Sequence, residues 1–151
     1  MNLSELFEAI DIREVGAPIA MASNTDSNSD RIDMAGFEGA LFITPVTDCA
    51  NTGVATQKIE QNTADSDTGM AALASTTATG TSAADDDMNN KLLVSGVFQP
   101  RERYIQAVRT STVANIAFGT QFVILFGVRK QPVTDHSTII SSAFAYSPAE
   151  A

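Results

Sequence analysis

"IAFGTQFVILFGV", residues 116–128, decides the fold class. In an extended chain Ile116, Phe118, Thr120, Phe122, Ile124, Phe126 and Val128 share one side, and Ala117, Gly119, Gln121, Val123, Leu125 and Gly127 share the other. This period of two reads as a strand. Six of the seven even-numbered positions are bulky and apolar, which predicts that their side faces the core. The small residues opposite predict a bulge or a close backbone approach near Gly119. Asn115, Thr120 and Gln121 interrupt the run before it reaches the roughly 18 apolar residues of a spanning helix, so no membrane partner is expected.

The flanks continue the β pattern. "KLLVSGVF" (91–98) reads as a strand, "QPRE" as a turn around Pro100, "RYIQAVRTS" as the returning strand and "STVAN" as the next turn. Upstream, "ALFITPV" (40–46) is a buried strand and "TDCANTG" a turn. Residues 54–60 then alternate Val54, Thr56, Lys58 and Glu60 against Ala55, Gln57 and Ile59. Residues 61–87, rich in Ala, Thr, Ser and Asp, predict a long excursion with some β pairing. A loop is expected before residue 39, with a short strand at 31–35, and a last strand at "STIISSAFAY". Strands every ten to fifteen residues without a recurrent helix predict an all-β protein, an antiparallel β-sandwich or jelly-roll-like barrel.

The N-terminus departs from this pattern. Leu3, Leu6, Phe7 and Ile10 recur at helical spacing, Asn2 and Glu5 have capping-box spacing, and Gly16 and Pro18 follow. They predict a short amphipathic helix over 3–14, hence an arm at 1–18 and a single β-domain at 19–151. Its apolar face would pack on its own domain or dock on a neighbouring subunit.

Nine basic residues against 18 acidic ones give a net charge of −9, which opposes attraction to nucleic acid or anionic lipid. A single cysteine, Cys49, excludes an internal disulfide, and a single histidine, His136, excludes the usual Cys/His zinc site. "MNLSELFEAI" lacks the positive start and apolar stretch of a signal peptide, so synthesis in the cytoplasm is expected. His136 stands in a turn without a serine motif, and Cys49 follows Asp48 without a basic neighbour to activate it. No phosphate-binding glycine loop is present. An enzyme is therefore not expected, nor a cofactor. The acids at 26–30, at 65–67 and at Asp85, Asp86 and Asp87 fit no EF-hand and read as solvated turn residues. The last three are the best calcium candidates among them.

"FQPRERYIQAVRT" (98–110) concentrates scarce positive charge in one turn and strand. Arg103, Ile105, Ala107 and Arg109 alternate with Tyr104, Gln106, Val108 and Thr110. Two readings stand: a salt-bridged exposed face, or a contact between copies using Arg101, Arg103, Tyr104 and Arg109, since arginine pairs bidentately with carboxylates.

The elements "DRIDMAGFEGALFITPV", "GVATQKIEQ", "DSDTGMAAL", "QPRERYIQAVRT", "NIAFGTQFVILFGVRKQPVTDHSTI" and "SPAEA" together resemble a family of small structural proteins of tailed bacteriophages. The resemblance covers about residues 20–151. It implies a capsid decoration or cement protein on the outer surface of the virion, an oligomer, often a trimer, bound to the major capsid protein. No catalytic residues come with it. Leu3, Leu6, Phe7 and Ile10 would then be candidates for the capsid contact. The alternative is a tail- or neck-associated domain binding a host receptor or glycan, a role for which a chain with no Trp and two Tyr is poorly equipped.

Overall fold

In the computed structural model, which describes Leu6, residues 8–129 and residues 136–143, every strand pairing is antiparallel. Twelve strand segments fill eight positions. β1 (Ile10–Gly16) and β2 (Ile19–Ala22), parted at Pro18, make the first; β3 (Thr25–Asn28) and β4 (Ile32–Asp33) make the second. β5 (Gly39–Cys49) is the third and β6 (Val54–Asn62) the fourth. β7 (Ala71–Ala72) with β8 (Ala78–Thr81) is the fifth, and β9 (Lys91–Phe98) the sixth. β10 (Tyr104–Thr112) is the seventh, and β11 (Ile116–Phe118) with β12 (Gln121–Phe126) the eighth.

One sheet runs first, eighth, third, sixth; the other runs second, seventh, fourth, fifth. The chain changes sheet at every connection except that between the fourth and fifth positions. This is the strand order of a jelly roll, two four-stranded sheets packed face to face.

Two apolar clusters fill the interior. One gathers Phe42, Ile59, Ile105 and Leu125, and the other Val46, Ala55, Ile116 and Phe118. Between them every long strand changes character. Thr44 lies between Phe42 and Val46, Gln57 between Ala55 and Ile59, and Ser95 between Leu93 and Val97; Arg109 follows Ala107, and Gln121 precedes Val123. All five are buried. The Thr44 hydroxyl and Gln121 Nε2 both donate to Gln57 Oε1, the latter at 2.9 Å. Gln57 Nε2 donates to the Phe42 carbonyl at 3.1 Å, and Ser95 Oγ donates to the Gln57 carbonyl at 3.1 Å. Arg109, 2% exposed, donates to the Gly119 carbonyl at 3.1 Å and to Ser27 Oγ at 3.2 Å. Burial pushes its guanidinium pKa down.

Several expectations are corrected. The N-terminal helix is not seen over the expected 3–14: Leu6, Glu8 and Ala9 are helical, but Ile10–Gly16 is a strand paired with β12, so residues 10–16 belong to the sheet. Cross-strand partners override the helical spacing. The loop expected over 21–39 begins within β2 and contains β3, whose polar residues TDSN gave little strand signal. The excursion at 61–87 does pair, through β7 and β8 on β6. Residues 136–143 form no strand, and 144–146 lie outside the described residues.

The largest correction concerns residues 116–128. Ile116 and Phe118 point inward as expected, but the next inward residues are Gln121, Val123 and Leu125. Inward positions 118 and 121 are three apart, so an extra residue is inserted at Gly119–Thr120 and the strand changes phase. The bulge is built from backbone: Gly119 N–H donates to the Pro45 carbonyl at 2.8 Å while its own carbonyl receives Arg109. A Cβ on residue 119 would stand 2.7 Å from Pro45 Cγ, so only glycine fits.

Replacing Arg109 by Ala strands the Gly119 carbonyl and opens a cavity, and is expected to lower unfolding free energy by about 3 kcal/mol. Arg109→Met, which refills the volume and removes the buried charge, should lose less. Urea denaturation of both variants checks the order; equal losses would contradict it.

Candidate interaction surfaces

Because the phase flips at the bulge, the bulky residues of β12 face outward. The register places them in rows across the first sheet: Ile10, Phe126, Gly39 and Phe98; Ile12, Ile124, Leu41 and Gly96; Glu14, Phe122, Ile43 and Val94. Pro45 and Leu92 extend the two nearer strands. Phe98 is 60% exposed, Leu92 59%, Val94 44%, Phe122 41% and Ile12 39%. Glu14, at the margin, is the one acid in these rows. Four strands about 4.8 Å apart and three to four rows deep give an apolar face on the order of 400 Å², the size of the largest patch on a typical monomer, which is often a functional surface. At one end the Phe98 and Phe126 rings stack with centroids 6.3 Å apart. Gly39 lies between them in register, and any Cβ there would collide with the Phe126 ring.

The outer face of the second sheet is different. Thr56, Lys58 and Glu60 line β6, with Thr110, the buried Val108 and Gln106 opposite on β10. Lys58 pairs with Glu60 at 2.9 Å, and Gln106 Nε2 donates to Glu60 at 3.1 Å. The sandwich thus has one polar side and one apolar side.

The arginines of the 98–110 stretch separate. Arg109 is enclosed between the sheets and is not available to a second copy. Arg103 forms a bidentate pair with Asp33 at 2.9 and 2.7 Å and lies over the Tyr104 ring at 5.3 Å. Asp33 also caps the short 3-10 turn Met34–Gly36 by accepting from Ala35 N–H at 2.9 Å. Arg101 is exposed in the preceding turn. It shares a cleft of about 500 Å³ with Arg103, Arg129, Phe37, Glu38 and Glu102.

Ile10 sits in the apolar rows and Leu6 is half-buried, while Leu3 and Phe7 lie outside the described residues. The acidic candidates are taken up by partners within the chain. Asp85 accepts from Asn51 N–H at 2.7 Å, Asp86 from Asn89 Nδ2 at 3.0 Å, and Asp87 from Ala83 N–H at 2.8 Å. Asp65 and Asp67 both hold Arg31. Among the described residues no three His, Cys, Asp or Glu side chains are grouped to hold a metal. Cys49 closes β5 at 1% exposure, its thiol 3.7 Å from Ser82 Oγ and Asp87 Oδ1.

Sequence reading missed the apolar face because its residues looked like core. The available signal was that both sides of "QFVILF" and of "KLLVSGVF" are apolar, more than one interior can absorb. No family model matches the chain, and no curated protein matches it.

The hydrogen bonds from Arg103 and Ala35 N–H hold the Asp33 carboxyl below the usual aspartate range, and Ala83 N–H does the same for Asp87. A lowered folded-state pKa contributes stability above the unfolded value of about 3.9, lost as pH falls through the lowered midpoint. Carboxyl NMR titration is expected to place both midpoints below that value. Asp33→Asn should flatten the acid limb of urea stability between about pH 4 and 2; an unchanged limb would remove Asp33 from the account.

Proposed function

We propose that this chain is a structural protein of the virion, a capsid decoration protein that assembles with copies of itself on the outer capsid and stabilises contacts between major capsid proteins. The observation that carries the reading is the apolar outer face of the first sheet. Such an area is covered in use, since exposure to water costs about 25 cal/mol per Å². A shell protein offers a fixed, repeated surface for it, and the polar face of the second sheet then meets solvent. The family resemblance points the same way. A jelly roll by itself carries many functions, and the apolar face is what distinguishes this one.

Quantitative mass spectrometry of purified virions should find this chain in numbers comparable to the major shell protein. Phe122→Glu places a second charge beside Glu14 on the face, at a 41% exposed position. Standing opposite Glu14 on the neighbouring strand, it should lower stability by about 1 kcal/mol, still fold, and fail to co-sediment with shells. A few copies per virion, or a variant that attaches undiminished, would overturn the reading.

A further inference from the structure

Four edges bound the two sheets, and three of them are broken or covered. Along β1 and β2 the ladder shifts register between Glu14 and Gly16, Pro18 interrupts the edge, and Thr138 Oγ1 accepts Glu14 N–H at 3.3 Å. β3 and β4 are parted by residues 29–31 and carry Asp26 and Asp33. β7 and β8 are two and four residues long with a loop between. Short segments, breaks and charges are the usual means of preventing strands from adding to an edge.

The fourth edge has none of them. β9 is eight residues long, pairs with β5 without a register shift, and contains no proline. Its one charge, Lys91, stands at its first position. Among the described residues nothing pairs with its other side. β8 lies beside it without pairing to it, across a cleft of about 280 Å³ lined by Gly80, Met88, Lys91 and Leu92.

We propose that β9 pairs antiparallel with β9 of a second copy about a two-fold axis at Ser95, joining the two first sheets into one of eight strands. The sequence of the strand is complementary to its own reverse in that register. Leu92 stands opposite Phe98, and Val94 opposite Gly96, so on the outer face each large side chain meets a partner that fits it. On the inner face Leu93 meets Val97. Registers centred on Val94 or Gly96 set Phe98 against Asn90, or Leu92 against Pro100, and shorten the ladder. Each copy supplies and receives the same contacts, the condition for a closed dimer, by main-chain strand addition. This gives a two-fold pair where the resemblance implies a trimer, and it does not depend on what the outer face meets.

The test uses the full chain with single cysteines introduced as Leu92→Cys and Phe98→Cys, Cys49 being 1% exposed and shielded. Under copper phenanthroline oxidation the mixture of the two variants should yield roughly tenfold more covalent dimer than either alone, because only opposed Cβ atoms come within disulfide range. Sedimentation equilibrium of the unmodified protein should give twice the 15.9 kDa chain mass, and Val94→Lys should give a monomer. Efficient linking of Leu92→Cys to itself would overturn the register. A monomeric unmodified chain would overturn the pairing even if it still attached to shells, which separates this inference from the docking role of the face.

Discussion

The hydrogen bond from buried Arg109 to the Gly119 carbonyl is the constraint on which the rest of the molecule turns. An arginine enclosed by two sheets needs acceptors inside, and a regular strand has none to give because its carbonyls are committed to neighbouring strands. The bulge at Gly119–Thr120 frees one. The same extra residue reverses the phase of the eighth strand, bringing Gln121 into the polar belt and turning Phe122, Ile124 and Phe126 outward. β5 changes phase beside it, between inward Val46 and Cys49, so interior chemistry and exterior character have a common origin in one irregularity shared by two paired strands.

The polar belt also explains why the interior is two clusters rather than one. Gln57 is its centre, receiving Thr44 and Gln121 on its side-chain oxygen and giving its amide to the Phe42 carbonyl. Side-chain bonds of this kind are directional, so they fix how the two sheets align along their length, which apolar packing alone constrains weakly. A sliding of one sheet on the other by a residue would leave Gln57 unsatisfied in the core.

The β character and the jelly-roll class were legible, the strand at 54–60 because its alternation matches burial, and the strand at 91–98 from its run of β-forming residues although both of its sides are apolar. The bulge was legible only as a possibility in "FGTQ". Its consequence, the reversed phase, was not, because the partner of Gly119, Arg109, lies on another strand and no local pattern joins them. The N-terminal strand was hidden for a related reason: Leu3, Leu6, Phe7 and Ile10 have helical spacing, but Ile10 and Ile12 pair across to Phe126 and Ile124. The cluster of arginines was visible, and its meaning was not. Arg103 serves Asp33, Arg31 serves Asp65 and Asp67, Arg13 serves Asp11, and Arg109 serves the bulge.

That use of arginine bears on how so acidic a chain assembles. Copies carrying a net charge of −9 repel one another, and the repulsion is strongest where their acids face each other. Here arginines draw acids into loops at 31–33 and 65–67, and Glu60 is held on the second sheet by Lys58. The central strands of the first sheet carry no acid in their outer rows. Local charge is lowest where apolar exposure is highest, so contact there meets the least electrostatic resistance while the remaining surface keeps the copies apart in every other orientation.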